Sequence, residues 1–133
     1  MGVRLGEAIA NEMNEVTLQV QPNPNAPSVS RSHLASMRAK LEPRYDDVVL
    51  LVSELVTNSV RHGASDGIDV KVTAGRGQIR VEVADDGPGF SIDDPRGSGF
   101  GLSIVEKLAD RWGMKNDPKF TVWAELSTRP ERA

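Results

Sequence analysis

The 133-residue sequence contains no cysteine, which excludes a disulfide framework and metal sites built from thiolates. No apolar run approaches the roughly 18 residues of a transmembrane helix, and the first residues lack the apolar core of a signal peptide. Tyrosine occurs once and aromatic residues make up only 5% of the chain, so aliphatic side chains must supply the core. From these absences we expect a cytoplasmic protein that does not bind a membrane.

A strong charge of either sign is also absent. The 16 basic and 19 acidic residues give a net charge of -3, and neither sign forms a run of five. Because non-specific binding to nucleic acid requires a basic stripe, we expect no direct contact with nucleic acid. The length suits one domain with one core and one site.

Hydrophobic periodicity divides the chain into strands and helices. Alternation of apolar and polar residues predicts strands over 15–21, 68–74, 79–84, 112–115 and 120–126. Helical spacing predicts helices over 28–41, 46–62 and 102–111, and the prolines of 21–27 predict a loop. The glycines of Gly75-Arg76-Gly77-Gln78 predict a hairpin turn between the second and third strands.

The order of these elements indicates the fold class. One strand, two helices, two strands, one helix and two strands favour an α+β, two-layer sandwich, in which helices cover one face of a mostly antiparallel mixed sheet. We predict a domain over residues 15–128, an N-terminal extension over 1–14 and a tail over 129–133.

The central helix carries a line of three polar residues, Glu54, Asn58 and His62, spaced four residues apart. At 100° per residue they fall within an arc of about 80°. This line borders the apolar face of the helix, so we expect it to open into a cleft. A solvated helix face is the alternative.

A polar, glycine-rich loop of 17 residues, DDGPGFSIDDPRGSGFG, follows the third strand. A loop of this length in a compact domain is usually functional. Each half has a simpler explanation, since DDGPG has the composition of a turn and GSGFG that of a flexible linker. The order of the polar line and the two glycine segments makes them more specific together than apart.

This combination resembles the ATP-binding domain shared by gyrase, heat-shock chaperones, histidine kinases and mismatch-repair ATPases (the GHKL superfamily). The matching boxes are Glu54-x-x-x-Asn58-x-x-x-His62, Asp85-x-Gly87-x-Gly89 and Gly99-x-Gly101-Leu102-x-Ile104-Val105. Within the superfamily, SELVTNSVRHG, DDGPGF and SGFGLSIVEKLADRWG are similar to the anti-sigma-factor serine/threonine kinases. The resemblance implies the Bergerat-type fold for the two-layer domain.

The resemblance also implies how ATP is held. Asp85 would accept a hydrogen bond from the adenine amino group, and Asn58 would bind Mg²⁺ through its side-chain oxygen. His62 would contact the nucleotide or only close its helix, and Arg96 would neutralise a phosphate or remain a solvated loop residue. The remaining positions assigned to the nucleotide are Gly87, Gly89, Gly99, Phe100, Gly101, Leu102 and Thr121. Lys119-Phe120 departs from the glycines that relatives often have before this threonine.

In a kinase of this kind Glu54 would be the general base for a serine or threonine hydroxyl, whereas in an ATPase it would activate water. The partners implied are a sigma factor and an antagonist, or anti-anti-sigma (STAS-type), protein. A homodimer through the first strand and helix, within 15–41, is implied as well. The alternative is a regulatory module that binds ATP without physiological phosphotransfer.

Overall fold

The computed structural model describes residues 13–62, 66–88, 102–116 and 118–129. The strands are β1 Met13–Val20, β2 Ile68–Gly75, β3 Gln78–Asp85, β4 Arg111–Lys115 and β5 Phe120–Ser127. The helices are α1 Ala26–Leu34, a 3₁₀ turn Ala35–Met37, α2 Arg38–Leu41, α3 Tyr45–Arg61 and α4 Leu102–Leu108. The strands form one sheet in the order β1-β2-β3-β5-β4, and every described pair is antiparallel. The α+β sandwich with a mostly antiparallel sheet is confirmed.

The predicted hairpin joins β2 to β3 through Arg76 and Gly77. Both residues have positive φ, 57° and 78°, as a type I′ turn requires. This turn has the same right-handed twist as the flanking strands, so it fixes their register. Ile68 then lies opposite Asp85, at the far end of the hairpin.

The predicted single helix over 28–41 is wrong in two respects. It begins earlier, at Ala26, because Pro27 sits in the first turn, where a missing N–H costs no hydrogen bond. It is also interrupted by the 3₁₀ turn Ala35–Met37, where the Ser36 hydroxyl donates to the carbonyl three residues back. Its end before Pro43 is as expected, since Glu42 is already extended with ψ 146°.

The predicted helix over 102–111 is too long. Helix α4 ends at Leu108, and the N–H of Asp110 donates to the carbonyl of Glu125 in β5. The helix therefore ends three residues earlier than its spacing indicates, and the strand begins one residue earlier, at Arg111. Strand β1 likewise begins at Met13, two residues before the predicted start of the domain at 15.

Helix α3 is the centre of the helical layer. Asp46 and Asp47 occupy its first turn, where carboxylates interact favourably with the helix dipole. Its buried apolar face consists of Val48, Leu51, Val52, Leu55 and Val56. Burying each of these side chains contributes roughly 1.5–3 kcal/mol. No helix in the described ranges is both long and apolar enough to cross a membrane.

Arg44, just before α3, ties together three elements. Its Nε donates to Asp47 Oδ2 at 2.7 Å, and its two terminal nitrogens donate to the carbonyls of Leu108 and Ser127 at 2.8 and 2.9 Å. The first carbonyl is at the end of α4 and the second at the end of β5. One guanidinium therefore holds the end of α4 against the sheet and the start of α3.

We expect Arg44→Met to lower the free energy of unfolding by about 2–3 kcal/mol, because two charge-assisted hydrogen bonds to carbonyls are lost together. Urea unfolding measures this. The matched control is Arg38→Met, since Arg38 is 65% exposed and only stacks on Tyr45 and pairs with Glu42 at 3.7 Å. Its expected effect is about 0.5 kcal/mol. Equal losses in the two variants would contradict the role given to Arg44.

The sheet face turned away from the helices is polar and carries a network centred on Arg80. Arg80 Nε lies 2.8 Å from Glu82 Oε2, and its Nη1 lies 2.6 Å from Glu125 Oε2. Burial alone would raise the pKa of Glu82, but the hydrogen bond from Arg80 and the charges of Lys115, Arg80 and Lys71 outweigh it. The pKa of Glu82 is therefore lowered from its ordinary 4.5.

A lowered folded-state pKa means that Glu82 stabilises the fold above its unfolded-state pKa, and that this contribution disappears as the pH falls through the folded-state value. We expect Glu82→Gln to cost about 1 kcal/mol at neutral pH and progressively less on acidification. Urea unfolding across acidic and neutral pH checks this. Glu15→Gln is the control, because Glu15 is half exposed and its distance to Lys71 is 3.9 Å. A pH-independent loss for Glu82→Gln would contradict the prediction.

Candidate functional site

A narrow pocket lies between α3 and the core-facing side of β3 and β5. It is lined by Leu55, Asn58, Ser59, His62, Val83, Asp85, Phe120 and Val122. The periodicity of the two element types explains this set. Residues four apart on α3 share one side of the helix, and residues two apart on each strand share one face of the sheet. The structure thus brings together Asn58, His62 and Asp85 from separate parts of the sequence.

Asn58 lies in the wall that α3 contributes to the pocket. It is only 5% exposed, and its side-chain Nδ2 is buried without a hydrogen-bond partner in the described part of the chain. A buried amide left unpaired costs about 1–3 kcal/mol. A polar group kept in this state beside a pocket is suited to a ligand that pairs with it.

Asp85 is the last residue of β3 and is 6% exposed. Its Oδ1 accepts a hydrogen bond from the backbone N–H of Gly87 at 2.7 Å. This local turn fixes the carboxylate at the point where the strand ends. Asp85 is the only carboxylate among the described residues that line the pocket.

The other two members of the polar line differ in position. His62 ends α3, where its N–H donates to the carbonyl of Asn58 at 2.9 Å, and its half-buried side chain lines the pocket. Glu54 is half-buried one turn before Asn58 and does not line this pocket. The three side chains follow one helix edge, but only the last two reach the pocket.

Phe120 is one of the two pocket residues on β5, and it was not among the predicted site residues. Phe120 lies directly opposite Asp85 in the sheet and lines the pocket. Thr121, which we expected near the nucleotide, is opposite Ala84 and belongs to the other face of the sheet. Its hydroxyl donates to the carbonyl of Lys119 at 3.0 Å.

The remaining pocket residues are Ser59 and three apolar residues, and the signal for the two apolar residues on strands was the alternation of those strands. Val83 and Val122 are opposite each other in β3 and β5, and Leu55 faces them from α3. Extending the alternation of β3 back from Asp85 would have found Val83. Finding Val122 and Phe120 required the register between the two strands.

Two further predicted site residues are described. Gly87 is half-buried in the turn after β3, and its N–H binds Asp85. Leu102 is the first residue of α4 and is buried in the core. Gly89, Arg96, Gly99, Phe100 and Gly101 lie outside the described residues.

Lys119 immediately precedes Phe120 in the sequence, but its side chain forms an ion pair with a residue of a different strand. Its Nζ lies 3.0 Å from Asp69 Oδ2. This hydrogen bond, the charge of Asp69 and those of Asp66 and Asp86 raise the pKa of Lys119 above its ordinary 10.5. Its charge therefore compensates acidic groups at this end of the sheet.

The chemistry of the pocket fits a nucleobase. Apolar walls formed by Leu55, Val83 and Val122 suit a flat ring, and a few fixed polar groups orient it. The free valences of the Asp85 carboxylate can accept a hydrogen bond from a ligand donor, and the unpaired amide nitrogen of Asn58 lines the same pocket. The fold and the pocket together define a two-layer domain with a nucleotide-type site between its helices and its sheet.

Comparison with known proteins identifies the family. Residues 44–132 match the family described as histidine kinase-, DNA gyrase B-, and HSP90-like ATPase. An anti-sigma F factor of Clostridium botulinum is 30% identical over 116 residues, covering 73% of this chain and 81% of the relative. The chain therefore belongs to this ATPase family, in the group of the anti-sigma-factor kinases.

Two further similarities agree with this assignment. A serine-protein kinase RsbW of Listeria monocytogenes is 28% identical over 125 residues, covering 77% of this chain and 80% of the relative. The crystal structure of the RsbU and RsbW domains of Rv1364c from Mycobacterium tuberculosis superposes with a TM-score of 0.67 at 24% identity. The superposition covers 89% of this chain and 34% of the chain in that structure. At this level of identity the similarity supports the fold alone.

Proposed function

We propose that this protein is an ATP-dependent serine/threonine protein kinase that phosphorylates an antagonist (anti-anti-sigma, STAS-type) protein and binds a sigma factor. The main observation behind this proposal is that Asn58 and Asp85 line the same pocket, in a domain that belongs to the ATPase family. The names of the relatives, anti-sigma F factor and serine-protein kinase RsbW, support the choice of reaction and partners.

In this proposal the base of ATP enters the pocket between α3 and the sheet. Asp85 accepts the hydrogen bond of the adenine amino group, and the walls of Leu55, Val83 and Val122 pack against the ring. His62 closes the pocket at the end of α3. A base without an amino group at this position would leave a buried carboxylate unpaired, which is a strong basis for selectivity.

The triphosphate would extend from the pocket towards Asn58 and the glycine segments. Asn58 would hold Mg²⁺ through its side-chain oxygen, and the ion would supply charge neutralisation for the phosphates. The backbone of Gly87, the N–H groups of Gly89, Gly99 and Gly101, and the start of α4 at Leu102 are proposed to lie along the nucleotide. Phe100 and Arg96 would cover it, with the arginine paired to a phosphate.

Glu54 would perform the proton transfer. Its carboxylate accepts the proton of the serine or threonine hydroxyl, and the hydroxyl oxygen forms a bond to the γ-phosphorus. The bond between that phosphorus and the β–γ bridging oxygen breaks, so ADP leaves with the electron pair. The position of Glu54 outside the nucleobase pocket suits this role, since the acceptor protein must approach from the other end of the nucleotide.

A transfer assay tests the proposal. The protein is incubated with γ-labelled ATP, Mg²⁺ and candidate antagonist proteins from neighbouring genes, and the label is followed onto each acceptor. We expect phosphoserine or phosphothreonine on one of them. If ATP binds but no acceptor becomes labelled, the kinase proposal is wrong.

A second candidate function is regulation by ATP binding without phosphotransfer. It requires the pocket that holds Asn58 and Asp85 but makes no use of Glu54, which lies outside that pocket. In that case ATP would set the shape of the surface that binds the partner, and the Glu54 variant considered in the Discussion would leave partner regulation unchanged.

A further inference from the structure

The polar line on α3 continues one turn beyond Glu54 and ends at an exposed leucine. Leu50 precedes Glu54 by four residues, the same spacing that separates Glu54 from Asn58. Side chains at this spacing are neighbours on a helix, with Cβ atoms about 5–6 Å apart. Asn58 is buried in the pocket, Glu54 is half-buried outside it, and Leu50 is 42% exposed. The line therefore runs from the pocket to the protein surface.

Leu50 does not contribute to the buried core. The core face of α3 consists of other residues, and Leu50 is one of two large hydrophobic residues that are exposed in the described ranges. The other is Val29 on α1, which is 39% exposed. A single exposed apolar residue is ordinary on a protein surface. What distinguishes Leu50 from Val29 is its position one turn from the carboxylate of Glu54.

A guanidinium from α1 lies beside this leucine. Arg31 is exposed, and its Nη1 donates to the Ser53 hydroxyl at 3.2 Å. Ser53 follows Leu50 by three residues, so the two side chains are neighbours on α3. The hydroxyl is neutral, and no carboxylate in the described ranges forms an ion pair with Arg31. The arginine is therefore able to pair with an acidic group of another molecule.

The segment that carries Arg31 contains no acidic residue. None occurs between Glu15 and Glu42, whereas Arg31, Arg38 and Lys40 are all exposed there. The whole chain has a net charge of -3, so this segment forms a basic surface on an acidic protein. Electrostatic attraction on this side therefore favours an acidic partner.

We propose that the Leu50 patch, which consists of Leu50, Ser53 and Arg31, is the surface on which the phosphoacceptor protein docks. This inference rests on the proposed kinase function. The acceptor hydroxyl must reach Glu54, so the polypeptide around that hydroxyl has to cover the surface next to Glu54. The nucleotide occupies the pocket side of Glu54, which leaves the side of Leu50. An apolar residue of the acceptor covers Leu50, and a carboxylate next to it pairs with Arg31.

Transfer assays at varied concentrations of the labelled acceptor test the apolar contact. Leu50→Asp should raise the KM for the acceptor at least about 10-fold, because a charge replaces the apolar side chain. Its kcat and ATP affinity should stay within about twofold, since the patch contacts neither the nucleotide nor the transferred proton. Val29→Asp is the matched control, because Val29 is similarly exposed and differs from Arg31 by about 200° around α1. Its KM should stay within about twofold.

A charge reversal tests the acidic partner. Arg31→Glu should raise the KM about 10-fold and remove much of its dependence on salt. Arg129→Glu is the control at the hairpin end of the sheet, where the arginine Nη2 lies 3.4 Å from the carbonyl of Arg76. Replacing the exposed carboxylates of the acceptor by lysine, one at a time, should yield one variant that restores transfer by Arg31→Glu. Such a rescue requires the two charges to meet.

Several results would overturn the inference. An unchanged KM in both Leu50→Asp and Arg31→Glu does so while leaving the kinase function intact, and so does an equal rise in KM for Val29→Asp. If Leu50→Asp alters only self-association or sigma-factor binding, the patch belongs to that partner and not to the acceptor. If the unmodified protein labels no acceptor, the kinase function fails and the inference with it. Leu50→Ala, expected to raise the KM about threefold, replaces Leu50→Asp if thermal unfolding shows the latter to be unfolded.

Discussion

Asp85→Asn should reduce the affinity for ATP by about 100-fold while the protein remains folded. The substitution preserves the size of the side chain, and the amide oxygen can still accept the hydrogen bond from Gly87. It removes the charge that strengthens a hydrogen bond from the adenine amino group in a site that is almost fully buried. Calorimetric titration with ATP and Mg²⁺ measures the change.

The adjacent residue provides the control. Asp86 is exposed and accepts a hydrogen bond from the N–H of Asp66 at 3.3 Å, so Asp86→Asn makes the same chemical change outside the pocket. We expect its ATP affinity to stay within about twofold of the original. An Asp85→Asn variant that binds ATP as well as the unmodified protein would show that the base is held elsewhere.

Glu54→Gln should lower the rate of phosphotransfer by about 100- to 10,000-fold, with ATP affinity nearly unchanged. Glutamine has the same shape as glutamate but cannot accept the proton of the attacking hydroxyl. Since Glu54 does not line the pocket that holds Asn58 and Asp85, its loss should leave nucleotide binding intact. Single-turnover transfer to the acceptor protein, at saturating ATP, isolates this step.

Glu106→Gln is a suitable control, because Glu106 is an exposed carboxylate on α4 and should leave the rate unaltered. Measuring whether the Glu54→Gln variant still regulates its partner in cells distinguishes the two candidate functions. A kinase requires Glu54 for regulation, whereas a module that only binds ATP does not. Normal transfer by Glu54→Gln would show that another group accepts the proton.

Much of the fold could be predicted because its signals are local. The alternation in β2 and β3 and the glycine after Arg76 specify a hairpin within a short segment. Helix α3 carries its own apolar face and acidic first turn, and its predicted start was one residue from the observed one. Local periodicity therefore identified these elements without knowledge of their neighbours.

Element ends were predicted less well where tertiary contacts decide them. Helix α4 stops at Leu108 because the next residues pair with β5 and because Arg44 binds the last helical carbonyl. Strand β5 and Arg44 are both distant from this helix in the sequence. The spacing of apolar residues over 102–111 therefore cannot predict where the helix ends. The end of the helix is set by competition between helical and sheet hydrogen bonds.

The chemistry of the candidate site can be deduced from the residues alone: the amide of Asn58, the carboxylate of Asp85 and the spacing of Glu54 and His62 along one helix edge. Which residue of β5 lies beside that chemistry depends on how the strands pair in the folded protein. Side chains alternate between the two faces of a strand, so the register that pairs Asp85 with Phe120 also assigns Thr121 to the opposite face. The alternation within β5 already separates Phe120 from Thr121, but it does not contain the pairing with β3, which places Phe120 directly opposite Asp85.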